Sequence, residues 1–167
     1  MAVNEKTWQT QNMQKNLKTL RELAGLSAAQ LAEEINVTKQ TIHRFEALEK
    51  PQKTDMTYCQ YRTIRLVFEE IIQSKLEKDP NDTDLQGAIK LLIDNADKFN
   101  EDEYAETQSA VKMVSASKKA GVDGAFLKKI IPGVVSTILG AVIIGLLTED
   151  DLTKDVTKNI AKNLRKR

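Results

Sequence analysis

The stretch LSAAQLAEEINVTKQTIHRFE, Leu26 to Glu46, constrains this chain more than any other. Ser27 has the side chain of a helix N-cap, and Gln30 stands three residues later, at the capping-box position. Leu31, Ala32 and Ile35 then fall on one helical face. Asn36 interrupts them, and asparagine is one of the few non-glycine residues that enters the left-handed region cheaply. Thr38 caps a further helix, Lys39 to roughly Leu48, which Val37, Ile42 and Phe45 hold by pointing inward. Ala32 is small where the two helices must approach closely. The pattern predicts two short helices joined by a tight turn.

The flanking sequence extends this helical reading. Leu17, Leu20 and Leu23 share a face of a preceding helix, which Gly25 ends as a left-handed cap would. Residues 1–13 are mostly polar, with Trp8 the one large aromatic side chain, and read as an arm or a short lead-in helix. Pro51 closes the unit. Thr57 to Gln73 carries Tyr58, Tyr61, Ile64, Val67, Phe68, Ile71 and Ile72 at helical spacing. KDPNDTD, Lys78 to Asp84, is a turn and the best linker candidate. A fifth helix has Leu85, Ile89, Leu92, Ala96 and Phe99 on one stripe, and a sixth runs from Asp102 to about Lys119. AGVDG, Ala120 to Gly124, is a joint. No strand-like alternation and no internal repeat interrupts the series, so the fold class is all-α.

The inward residues of the third helix leave Lys39, Gln40, His43, Arg44 and Ala47 on its outer face. Four of those five can hydrogen-bond. A helix with an apolar back and such a front suits the major groove of DNA. With the preceding LKTLRELAGLS, Leu17 to Ser27, this arrangement resembles the helix-turn-helix of phage repressors and Cro, the lambda-repressor-like or XRE family. The resemblance runs from Leu17 to about Ile72.

The resemblance implies roles. Thr38 and Lys39 would open the recognition helix on phosphate or base edges. Gln40 matches a position that pairs with adenine, and Arg44 one that reads guanine. Thr41 would touch phosphate, and His43 is at most a phosphate contact. Arg21 and Glu46 match an ion pair that clamps the first helix to the third. Leu20, Leu31, Ala32, Val37, Ile42 and Phe45 would form the small core. Two positions depart from the family pattern: Ala28 stands where many members place a phosphate-contacting Gln, and Asn36 where the turn is usually Gly. Glu33 and Glu34 also lower the local positive potential. A monomer should therefore bind weakly and with steep salt dependence, and a homodimer presenting two recognition helices one DNA turn apart would compensate.

Near the end stands IIPGVVSTILGAVIIGLL, Ile130 to Leu147, without a single charge. At ~1.5 Å per residue such a helix spans about 27 Å, close to the ~30 Å hydrocarbon core of a bilayer. Pro132 falls in its first turn, where a missing N–H is harmless. Ser136 with Gly140, and Ala141 with Gly145, supply small residues four apart for close packing in lipid. The alternative is the buried core of a soluble oligomer, and nearly equal Lys/Arg content on the two flanks gives no orientation signal. The tail beyond it sets Leu152, Val156, Ile160 and Leu164 on one face, with Lys154, Lys158 and Lys162 four apart on another. Such a helix could lie on an anionic membrane surface.

Composition removes several classes. The formal net charge of +1 hides an acidic middle and a basic C-terminal end. One cysteine, Cys59, allows no intramolecular disulfide and no zinc cluster; it reads as a small buried or half-buried side chain. No phosphate loop, HExxH or nucleophile with a histidine partner is present, so no enzyme, metal site or cofactor is expected. The resulting organisation is a polar arm (1–13), a helix-turn-helix domain (14–76), an acidic helical middle (77–124), a hydrophobic, transmembrane helix (125–148) and a basic tail (149–167). The expected function is a DNA-binding transcription regulator, dimeric, with a cytoplasmic head tethered to the cell membrane. The alternatives are a protein-interaction module using the same head, and the antitoxin of a toxin–antitoxin pair.

Overall fold

A computed structural model describes residues 5–47 and 56–121. These form α1 (Glu5–Ala24), α2 (Ala28–Glu34), α3 (Lys39–Ala47), α4 (Tyr58–Lys78), α5 (Asp84–Ile89) and α6 (Glu101–Lys119), and no strand occurs among them. Between α5 and α6 the helix widens into a π turn, Lys90–Asp94, and then tightens into a 3-10 turn, Ala96–Lys98. The joint after Lys119, the run Ile130–Leu147 and the basic tail lie outside the described residues, except that Ala120 and Gly121 are described. Among the described residues no helix is long and apolar enough to cross a membrane.

Local chemistry fixes where the helices begin. Ser27 and Gln30 form the expected capping box at α2, with reciprocal bonds of 3.1 and 2.8 Å. Thr57 with Gln60 does the same at α4, and Asn100 with Glu103 at α6. Each box satisfies two amide donors that a helix start leaves without partners. Gly25 and Asn36 take positive φ, 78° and 53°, at the two turns that flank α2. Both turns were legible from the residue types.

The central element is α1. It packs against α3, α4, α5, the π turn and α6. Its reach was underestimated from sequence: of the two readings for residues 1–13, helix holds from Glu5, and Thr10 and Met13 are already buried. Met13, Leu17 and Leu20 face one continuous apolar cluster with Leu31, Ile42, Phe45, Ile64 and Phe68. Leu85, Ile89, Leu92 and Ile93 from the middle of the chain join the same cluster, as do Ala110, Val111 and Val114 of α6. Segment 79–83 forms the expected turn, and the helices on its two sides share this core. Cys59, expected to be at least half-buried, is exposed on the first turn of α4, on the side away from Tyr61 and Ile64.

Polar contacts tie the outer helices to this core. Arg65 of α4 forks onto Asp94 at the end of the π turn, at 2.7 and 2.9 Å, and also reaches Glu69 at 2.9 Å. Burial opposes the Arg65 charge, but the bonds to Asp94 and Glu69 outweigh it and hold its pKa above the ordinary value. Lys118 of α6 pairs with Asp82 and Asp84, while Lys75 of α4 reaches Asp82 at 3.3 Å.

Candidate nucleic-acid interface

The third helix is held from behind. Ile42 and Phe45 are fully buried, and Val37 packs against the same cluster. Ala32 is buried at the α2–α3 crossing, where a larger side chain would push the helices apart. With its back fixed, α3 turns Lys39, Gln40, His43, Arg44 and Ala47 outward, and all five are exposed. This is the face expected from the spacing.

The start of α3 uses its two threonines locally. The Thr38 hydroxyl accepts the Thr41 amide at 3.2 Å and lies 3.0 Å from the Thr41 hydroxyl. Thr38 is exposed and Thr41 half-buried. The amides of the first turn and the Lys39 ammonium thus lie at one end of the exposed row. Backbone donors and a cation together at a helix start suit a phosphate.

The expected clamp between α1 and α3 is formed. Arg21 donates from Nε to Glu46 Oε1 at 2.6 Å and from Nη2 to Oε2 at 3.2 Å. Both side chains are about nine-tenths buried, at 11% and 8% exposure. A third bond was not foreseen: Arg21 Nη1 donates to the Leu26 carbonyl at 2.8 Å. One guanidinium therefore fixes the end of α1, the entry to α2 and the end of α3. His43 Nδ1 stands 4.0 Å from Glu46 Oε2 while its ring remains exposed. The guanidinium carbon of Arg44 lies 5.8 Å from the centre of the Phe45 ring, while the residue as a whole remains exposed.

Ala28 is buried and cannot extend to a phosphate. Glu33 and Glu34 are exposed on α2. Position 28 thus presents no polar side chain, and two carboxylates stand exposed on the same helix.

A set of residues that the sequence reading passed over binds the middle region to α1. Gln108 Nε2 donates to Asn16 Oδ1 at 2.7 Å. Asn16 Nδ2 donates to the Tyr104 oxygen at 2.8 Å and to the Asn12 carbonyl. The Tyr104 hydroxyl donates to the Leu92 carbonyl at 3.0 Å, within the π turn. Gln14, also buried, accepts the Met56 amide at 3.3 Å and so pins the entry to α4. The available signal was an asparagine and a glutamine on the same short stretch as Met13, Leu17 and Leu20. Polar residues so close to a core stripe need partners.

No curated protein and no solved structure matched the chain. The family model described as Helix-turn-helix matches residues 17–55, a segment that contains the Arg21–Glu46 clamp and the whole of α2 and α3. Residues 17–55 are accordingly a lambda-repressor-like, XRE-type helix-turn-helix, the DNA-binding unit of a transcription regulator.

Proposed function

We propose that this protein is a sequence-specific transcription regulator whose α3 enters the major groove, that it binds as a homodimer, and that Ile130–Leu147 tethers it to a membrane with the head in the cytoplasm. The carrying observation is the exposed row Lys39, Gln40, His43 and Arg44 on a helix locked from behind by Ile42, Phe45 and the Arg21–Glu46 pair. Rigid presentation matters because a base edge is read only by a side chain held in register. In this reading Gln40 and Arg44 take bases, Gln through its amide and Arg through its fork. Thr38, Lys39, Thr41 and His43 take phosphates, which position the helix but carry no sequence information.

The dimer is supported by the weakness of one head. Ala28 supplies no anchor, and Glu33 and Glu34 repel phosphate. Two heads on one operator multiply modest affinities. The tether is supported by the uncharged run Ile130–Leu147 and its small residues at four-residue spacing.

Selection from a random duplex library tests the reading. The full chain should enrich a two-part site, and the variant Lys39→Ala/Gln40→Ala/Arg44→Ala should lose that binding while remaining folded. Equal enrichment by both proteins would remove α3 from recognition. Alkaline carbonate washing of membranes tests the tether, since a spanning helix stays in the pellet until detergent is added. Exposed Glu33 and Glu34 favour a second reading, in which the same face holds a protein partner. In that case the triple variant would lose the partner, and the wild-type protein would enrich no DNA.

A further inference from the structure

We propose that α6 is a detachable brace that controls how firmly the recognition helix is held, so that release of α6 weakens DNA binding. This rests on the DNA-binding reading above and adds a means of regulating it.

The first observation is what lies beneath α6. The apolar stripe of α1, Met13, Leu17 and Leu20, faces the core. Beside it runs a polar stripe, Asn12, Asn16, Thr19 and Glu22, spaced for one face of the helix. The side chains of α6 meet that stripe at two points. Tyr104 and Gln108 bond to Asn16, and Ser115 and Lys119 lie 3.5 and 3.6 Å from Glu22. Interfaces that open are more polar than permanent ones, and these bonds flank the apolar contact made by Ala110, Val111 and Val114. When α6 is in place the Asn16 amide is fully used by protein groups. When it leaves, water can take over the same bonds.

The second observation is how little α6 buries. Its buried residues are Thr107, Ala110, Val111, Val114 and Ser115, and Tyr104, its largest side chain, is only partly buried against the core. The rest of the core rests on Leu17, Leu20, Leu31, Ile42, Phe45, Ile64 and Phe68, all at 0% exposure. Elements with small buried side chains and polar pins open at lower free energy than the core they cover. The clasp at the far end, Lys118 with Asp82 and Asp84, is partly exposed and therefore yields to salt.

The third observation is where α6 ends. Glu22 sits on the last turn of α1, beside Arg21. The Glu22 carbonyl accepts the Gly25 amide at 3.0 Å. Arg21 in turn holds Glu46 of α3 and the Leu26 carbonyl. The end of α6 thus rests on the same turn that fixes the recognition helix. Loosening it leaves α3 attached but less firmly oriented.

Hydrogen exchange of the full chain, read by mass spectrometry across sub-denaturing urea, tests the brace together with operator affinity. In the wild-type protein, α6 amides should exchange through an opening that precedes that of α1 and α4. The variant Tyr104→Phe/Gln108→Ala should speed α6 exchange at least about fivefold, speed exchange in α3 as well, and weaken operator binding by a similar factor. A dry version, Asn16→Leu/Tyr104→Phe/Gln108→Leu, should slow α6 exchange and leave operator binding at least as tight as wild type. Exchange of α6 in step with α1 and α4 would overturn the proposal. So would faster α6 exchange with α3 unchanged, or tighter operator binding after release. If Tyr104→Phe/Gln108→Ala unfolds globally, the wild-type urea series and the dry version still decide. If the wild-type chain binds no DNA, the regulator reading falls, while the exchange of α6 and α3 decides the brace on its own.

Discussion

Arg21 and Glu46 meet through two hydrogen bonds, 2.6 and 3.2 Å, inside the angle between the first and third helices. A buried pair of this kind costs most when only half of it is removed, because the remaining charge has no partner and no water. Arg21→Ala or Glu46→Ala should each destabilise the protein by about 3–5 kcal/mol. Arg21→Met/Glu46→Leu should recover most of that loss, falling short mainly because the Leu26 carbonyl has lost its donor. Urea unfolding of the four proteins measures the cycle, and equal losses in the single and double variants would contradict it.

The exposed face of α3 divides by the kind of contact each side chain makes. Lys39→Ala should weaken binding to all sequences alike and reduce the salt slope of log K by about 0.9, the value for one phosphate neutralised. Arg44→Ala should cost about 1–3 kcal/mol on the preferred operator and relax the choice of base at one position. Titrations of preferred and scrambled duplexes at several salt concentrations separate the two effects.

Gly25 and Asn36 hold the turns on either side of α2 in the left-handed region. No atom lies within 4 Å of a Cβ placed on Gly25, so the cost of Gly25→Ala is conformational alone, about 1–2 kcal/mol. Asn36→Gly should be neutral or slightly stabilising, while Asn36→Val, branched at Cβ, should cost more than Gly25→Ala. Thermal unfolding midpoints give the order. A harmless Asn36→Val would mean that the turn relaxes to another geometry.

Asp82 receives Lys118 and Lys75. Burial pushes its pKa up, but the two lysines outweigh that and hold it below the ordinary value of 3.8. A carboxyl group whose pKa is depressed on folding adds stability that is complete above its unfolded value and is lost as pH falls through the folded one. The hold of α6 on the 79–83 turn should therefore weaken as pH drops below about 4. Asp82→Asn should flatten that acid limb. Exchange of α6 amides between pH 3 and 6 is the measurement, and an unchanged acid limb in the variant would assign the effect to other carboxylates.

The exposed face of α3 was legible because it depends on local rules. Ser27, Gln30, Gly25, Asn36 and Thr38 each dictate backbone geometry within a few residues, and the spacing of Ile42 and Phe45 sets which side of α3 is free. The contacts of the middle region were not legible. Asn16 pairs with residues 88 and 92 positions away, and no local pattern announces such a partner. For the first turns of α1, residues 1–13 left arm and lead-in helix open, and the helix is what forms from Glu5. Thr10 and Gln14 are polar by type, yet both are buried, Thr10 on the Lys6 carbonyl and Gln14 against the distant Met56 amide. The wide turn at Lys90–Asp94 keeps the apolar stripe of an ordinary helix, so period alone could not reveal it.

The capping boxes at Ser27, Thr57 and Asn100 have a mechanical meaning. A helix whose first amides are closed by its own side chains frays less at that end when its neighbours move. In α6 the closed end lies beside Tyr104, and the far end at Ala120 has only backbone bonds, so opening should begin there and run back toward Asn100. The boxes thus give each helix a firm end and a looser one, and so a direction in which it comes apart.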